Sequence, residues 1–252
     1  VIETVAAALL IFARLSGLLM ALPALGSGFV PGIARLGAAV PLTVLLLPVA
    51  GAPPVPETLG VLLGSVASEF VLGIAMGFAV YVAFVALTGA ADLLAMQGGM
   101  YLATMLDPLT MSSPGPVGVL ATWLGTGVFL GLGMHLHALA ALADSFQAVP
   151  PGAIVTATSS AAVLIPAAGD AISAGVTLAG PLTIFVFTVN LGLSILTRMA
   201  PNLQLFFAIG PSVTIVASLA LLGVALPALL TTWARSLPVS LDAIAALAEL
   251  AR

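Results

Sequence analysis

The sequence predicts an all-α, integral membrane-type protein built from about six apolar regions that form tilted, kinked helical hairpins. Two features of composition carry that reading. Of 252 residues, 62% are hydrophobic and 6% charged, and the mean hydropathy is +1.30, whereas soluble domains carry roughly a quarter charged residues. Nine acids, five arginines, no lysine and two histidines are too few to cover the outside of a soluble body. The medium around the chain is lipid or other apolar protein.

Taken in order, residues 5–22 form a first apolar run that contains Arg14 and is closed by Pro23 and Gly26-Ser27-Gly28. An arginine there either snorkels to an interface or is held by a protein partner. A second run, residues 36–50, is short for a span and carries Pro41, which predicts a kink or tilt. It ends in a loop marked by Pro48, Gly51, Pro53, Pro54 and Pro56. The third run, from Thr58 to about Ala91, exceeds the ~20 residues a bilayer requires, so it must bend, tilt or leave the lipid. Within it Gly60, Gly64 and Ser68 recur every fourth residue, and Gly73 and Gly77 form a G-x-x-x-G. Small residues at that spacing make a flat stripe on which another helix backbone packs closely. Glu69 lies between the two glycine pairs, and its carboxylate requires protein, water or an arginine beside it.

Residues 89–116 do not read as a span. Asp92, a Gln97-Gly98-Gly99 step, the methionines Met96, Met100, Met105 and Met111, and an Asp107-Pro108 followed by Ser112-Ser113-Pro114-Gly115-Pro116 interrupt the apolar pattern. Asp107-Pro108 stops a helix, and the Ser-Pro-Gly-Pro run cannot form one. Irregular backbone at membrane depth is tolerated only where it lines a cavity or is buried in protein, and methionine side chains adapt to varied apolar surfaces.

One further span is expected over residues 117–143, containing Gly127, Gly131, His135 and His137; Pro150-Pro151-Gly152 closes it. His-x-His on a helix points its rings to nearly opposite sides, and no third donor lies near, so no metal site is expected. Residues 161–197 read as two pieces or one kinked helix, with Pro166, Asp170, Pro181, Asn190 and, just beyond, Arg198. Met199-Ala200-Pro201-Asn202 makes a turn into a last run, residues 203–230, with a break expected at Gly210-Pro211. Trp233 and Arg235 stand where an interfacial anchor belongs, and the tail from Leu237 has the pattern of a short amphipathic helix.

The scattered arginines leave no basic patch for nucleic acid. Cysteine is absent, which excludes disulfides and thiolate metal sites. The start Val1-Ile2-Glu3 has no charged n-region, so no removable signal peptide is expected. No nucleophile, base and oxyanion donor converge; Gly192-Leu193-Ser194-Ile195 lacks the second glycine of the serine-hydrolase elbow. The chain is therefore not expected to be an enzyme, and no cofactor is expected. A polytopic transporter using Glu69, Asp92 and Arg198 is the rival class, but no internal repeat supports it.

Four blocks together resemble the FliR/SctT family, the R (or T) subunit of the type III secretion export gate. They are Ala13-Arg14-Leu15-Ser16-Gly17 with Val30-Pro31 and Arg35; Glu69 through Phe78; Gln97-Gly98 with Ala103-Thr104-Met105-Leu106-Asp107-Pro108; and His135 with Asp144-Ser145-Phe146, Asn190-Leu191-Gly192-Leu193 and Arg198 through Leu203. The wording of the third block is closer to flagellar than to injectisome members. The resemblance implies hairpins packed into a helical multi-subunit gate in the bacterial inner membrane, at the flagellar or secretion-system basal body, with part of the assembly above the membrane plane. It implies P-type (FliP/SctR) and Q-type (FliQ/SctS) partners, the B-type (FlhB/SctU) switch subunit, and unfolded export substrates. It also implies a P-like portion, residues 1–152, a Q-like hairpin, residues 153–235, and a tail, 236–252. The loop of Met105, Asp107, Pro108, Met111, Ser112, Ser113, Pro114, Gly115 and Pro116 becomes a plug, with Met96, Gln97 and Met100 beside the pore. Arg14, Glu69, Gly73, Gly77, Asp144, Asn190, Arg198 and Pro201 become packing or assembly positions, where polar groups would meet partner subunits.

Overall fold

The computed structural model describes residues 2–23, 30–51, 58–99, 116–153, 157–199 and 204–250. Among the described residues the chain is entirely helical. The helices are α1 (Ile2–Ala21), α2 (Gly32–Ala50), α3 (Leu59–Gln97), α4 (Pro116–Gly131), α5 (Met134–Ala148), α6 (Ala157–Met199) and α7 (Gln204–Leu250). Five of them are long and apolar enough to cross a membrane, and α4 and α5 taken as one broken span bring the number to six. The six apolar regions expected from the sequence are thus present.

Where the helices stop differs from expectation in two places, each for a local reason. The run 117–143 is two helices bent by 64° at their junction rather than one continuous helix. Gly133 takes φ +70°, a left-handed conformation that glycine adopts without the penalty a Cβ would bring, and its N–H turns back to the Leu130 carbonyl at 3.1 Å. The last run, by contrast, does not break at Gly210-Pro211. Helix α7 continues through Pro211, Pro227 and Pro238 to Leu250, taking in the tail. Proline removes one donor per site, a loss that helices in apolar surroundings absorb through their neighbours. Helix α2 likewise runs through Pro41 and Pro48.

Several hydroxyls in these helices satisfy themselves locally. Thr43, Thr88, Thr122, Thr177, Thr188 and Ser194 each donate to the carbonyl four residues back, at 2.8–3.0 Å. That bond removes the cost of an unpaired hydroxyl in an apolar medium.

The chain divides into two compact units. The first comprises Val1–Ala83, Phe129–Asp170 and Ser236–Arg252. Here α1 packs on α2, and α2 on α5. The front half of α3 lies directly against α1, because Gly17, Gly73 and Gly77 remove the side chains from the crossing. A Cβ at Gly73 would overlap the Arg14 carbonyl, and one at Gly77 would stand 2.6 Å from the Ala21 Cβ and 2.8 Å from the Leu18 carbonyl. This is the backbone-on-backbone approach that G-x-x-x-G spacing predicts. Gly60 and Gly64 face open space instead.

The second unit comprises Phe84–Val128 and Ala171–Arg235. Its α7 places Trp233, fully buried, edge-on against Phe84 of α3 with ring centroids 5.0 Å apart. The interfacial anchor expected at Trp233 is therefore corrected: the ring is a core residue, while Arg235 is exposed. Gly175 of α6 packs directly on the Ala86 backbone.

Candidate functional site

Two polar clusters stand out against the apolar helices, one in each unit. In the first unit Arg14 and Glu69 are both fully buried, at 0% and 1% side-chain exposure. Arg14 Nε donates to Glu69 Oε2 at 2.5 Å and Nη2 to Oε1 at 3.0 Å, a two-pronged pair. Two of the three remaining guanidinium protons are also placed. Nη1 donates to Ser145 Oγ at 3.0 Å and Nη2 to the Val149 carbonyl at 3.0 Å. Phe146 lies under the guanidinium, its ring centroid 4.3 Å from Cζ. Glu69 Oε1 accepts a further bond, 2.8 Å, from the Gly152 N–H. The planar fork of arginine meets both carboxylate oxygens, then spends its other donors on the end of α5.

The sequence explains why this cluster forms where it does. Gly73 and Gly77 draw α3 against α1, which brings position 69 opposite position 14. Pro150, Pro151 and Gly152, the last with φ +93°, turn the chain after α5. That turn delivers the Val149 carbonyl and the Gly152 N–H to opposite sides of the ion pair. Arg14 and Glu69 therefore find charged partners in each other, within the chain.

In the second unit the clusters are neutral. Gln97 ends α3. Its side chain donates from Nε2 to Thr183 Oγ1 at 3.1 Å, and its backbone carbonyl accepts from Asn190 Nδ2 at 3.3 Å. Asn190 Oδ1 in turn accepts from Thr214 Oγ1 of α7 at 3.2 Å. A carbonyl can only accept, so the orientation of the Asn190 amide is fixed by Gln97. Beyond Gln97 the Gly98 N–H bonds to the Leu94 carbonyl at 2.8 Å, and Gly99 takes φ +73°. Gly98 admits no side chain, since a Cβ would lie 2.7 Å from Ser218 Oγ of α7.

The other residues singled out in the sequence are dispersed. Asp92 is half-buried, its carboxylate against Gly118 of α4, and it borders an otherwise apolar cavity of about 340 Å³ with Met96, Gly89 and Gly175. Met96 is 62% exposed. Asp144 is exposed on α5, and Arg198 is exposed in the last turn of α6. His137 Nδ1 lies 3.1 Å from the Gly133 carbonyl of its own helix. Met100, Met105, Asp107, Pro108, Met111, Ser112, Ser113, Pro114, Gly115 and Pro201 lie outside the described residues, and Pro116 opens α4.

Sequence reasoning passed over Ser145, Thr183 and Thr214. A signal for Ser145 existed. Ala138, Leu142, Ser145 and Phe146 are the buried face of α5, with Val149 just beyond it, and their helical spacing selects Ser145 rather than its neighbour Asp144. Thr183 and Thr214 are single hydroxyls in long apolar helices, and nothing in their local pattern distinguishes them from the self-satisfied threonines.

A family model described as bacterial export proteins, family 1, matches residues 5–238. The chain is 28% identical over 228 residues to the flagellar biosynthetic protein FliR of Caulobacter vibrioides, covering 90% of each chain. To the FliR of Escherichia coli it is 31% identical over 215 residues, 85% of this chain and 82% of the relative. The Yop proteins translocation protein T of Yersinia pestis is 31% identical over 166 residues, 65% of this chain and 62% of that one.

Proposed function

Because the chain belongs to the bacterial export proteins, family 1, we propose that it is the R-type subunit of a flagellar export gate, which with P- and Q-type subunits encloses a channel for unfolded proteins. At the coarser level it is a membrane protein of the type III export apparatus. The flagellar system is favoured because the FliR proteins of Caulobacter vibrioides and Escherichia coli align over 90% and 82% of their length, against 62% for the translocation protein T of Yersinia pestis.

The observation that carries the gate reading is the length and bareness of the last two helices. Helices α6 and α7 have 43 and 47 residues, about 65 and 70 Å at 1.5 Å per residue, roughly twice the ~30 Å hydrocarbon core. Yet only 28% and 17% of their most apolar windows are buried in the chain. Their apolar stretches alone, residues 164–196 and 212–239, are about 50 and 42 Å long, so the apolar surface beyond the lipid calls for protein. Tilted hairpins shared among P-, Q- and R-type subunits, rising beyond the inner membrane, meet that requirement. The B-type switch subunit is a further partner in this reading. The role is one of gating and assembly, not catalysis.

Within the gate, the loop from Met105 to Pro116, which contains Met111, serves as the plug. Its Ser-Pro-Gly-Pro run resists helix formation, and its methionines seal against varied polypeptide without recognising a sequence. Met96, Gln97 and Met100 stand next to the pore. Deleting residues 111–116 tests this: the expected result is leakage of ions and small molecules from cells in which the subunit still co-purifies with P- and Q-type neighbours. Unchanged permeability would overturn the plug, and a stable, fully active lone subunit would overturn the assembly.

A further inference from the structure

We propose that the bare face of α2 is the surface this chain turns to membrane lipid, so that no neighbouring subunit packs on it. The inference deepens the gate reading above, since it says which side of the subunit is left for the bilayer; the lipid contact itself stands without that reading.

Length selects α2 first. Its 19 residues extend about 28 Å at 1.5 Å per residue, a match to the ~30 Å hydrocarbon core. Helix α1 has almost the same length, but 61% of its apolar window is buried in the chain, against 17% for α2. Helices α6 and α7 are also bare, yet both outrun the core, and the apolar window of α6 carries the exposed Asp170, a charge that lipid does not accept unpaired.

The surface chemistry agrees. Ala39, Thr43 and Ala50 form the buried stripe of α2, and the helix packs on α1 and α5. Elsewhere around it Ile33, Val40, Val44, Leu45 and Val49 are 47–86% exposed. Between Leu36 and Ala50 the single polar side chain is Thr43, whose hydroxyl donates to the Ala39 carbonyl at 2.8 Å. No side chain on the exposed face therefore needs water or a hydrogen-bonding partner. Charge is confined to one end: Arg35, in the first turn, donates from Nε to the Val30 carbonyl at 3.1 Å and from Nη1 to the Met20 carbonyl at 3.5 Å. A cation at the end of a bare apolar helix of bilayer length complements the anionic phosphates at headgroup level. A bilayer supplies both the apolar contact and the anion.

The chain has no cysteine, so Val40→Cys, Val44→Cys and Ile33→Cys each introduce a unique thiol for a nitroxide spin label. The labelled chain is studied with cysteine-free P- and Q-type neighbours, as the purified complex in nanodiscs of phosphatidylethanolamine and phosphatidylglycerol. Relaxation by oxygen, which enters lipid, is compared with relaxation by a nickel chelate, which stays in water. At Val40 and Val44, near the middle of α2, oxygen is expected to exceed nickel several-fold, and the ratio is expected to fall at Ile33, beside Arg35. Labels reached by neither agent, or thiols that take the label only after the complex is dissociated, reveal a neighbouring subunit on this face and overturn the proposal. Nickel exceeding oxygen at Val40 and Val44 reveals water there and overturns it too. If a complex recovered intact shows either of these results, the lipid face falls and the gate reading stands. If the unsubstituted chain does not co-purify with P- and Q-type subunits, the gate reading falls, and the same labels on the chain alone in nanodiscs decide the lipid face.

Discussion

Glu69 takes both prongs of Arg14, 55 residues away, at 2.5 and 3.0 Å, with neither side chain reaching solvent. A buried pair of this kind is costly to desolvate, and its attraction repays the cost only when the remaining donors and acceptors are also met. Here Ser145, Val149 and Gly152 meet most of them. The pair therefore acts less as a source of net stability than as a specification: α1, α3 and the end of α5 fit together in one arrangement, since any other leaves a charge bare.

Breaking the pair from one side should be far worse than removing it. Glu69→Gln leaves the arginine charge buried without its counter-charge, a loss of about 3–5 kcal/mol, comparable to a large part of the 5–15 kcal/mol that holds typical domains folded. The expected result is a chain that is degraded faster in cells and a complex recovered in lower yield and with a lower melting temperature. The double variant Arg14→Met with Glu69→Leu removes both charges and should recover most of the loss. Thermal unfolding of the assembled complex measures the difference, and a double variant as damaged as the sum of the single ones would refute the specifying role.

Ser145 and Asp144 should respond oppositely to substitution. Ser145→Ala strips one partner from a buried guanidinium and costs about 1–3 kcal/mol. Asp144→Asn alters an exposed side chain and should change stability by less than about 0.5 kcal/mol. The melting temperature of the complex distinguishes them; a larger effect at Asp144 would move the functional face of α5 to its other side, toward a partner subunit.

How much of this was legible depended on whether the cause was local. Composition settled the helical membrane class, and Gly73 with Gly77 announced a close crossing because spacing along one helix is visible in one sequence. Glu69 and Arg14 were each recognisable as charges needing a partner. That they partner each other was not, because the pairing depends on which helices meet across 55 residues. The unbroken course of α7 through its prolines was likewise hidden: proline reads as a breaker unless the surroundings satisfy the freed carbonyl. Trp233 looked like an interfacial anchor for the same reason, since its burial is decided by Phe84 on another helix.

The glycines of α3 offer the sharpest contrast, because identical chemistry sits in opposite surroundings. At Gly64 a methyl group would meet nothing within 4 Å, while at Gly73 it would overlap the Arg14 carbonyl and stand 3.0 Å from the Leu18 nitrogen. Gly64→Ala is therefore expected to be neutral or to stabilise by up to about 1 kcal/mol through helix propensity. Gly73→Ala must push α1 away from α3, at a cost of about 1–3 kcal/mol for overpacking. It also moves the backbone that carries Arg14, so its effect should not add to that of Glu69→Gln: once the ion pair is broken, displacing Arg14 costs less. Unfolding measurements on Gly73→Ala, Glu69→Gln and the combination, each in the assembled complex, give the coupling directly. Strict additivity would mean that the helix crossing and the charge clamp are independent, and that the glycines serve packing alone.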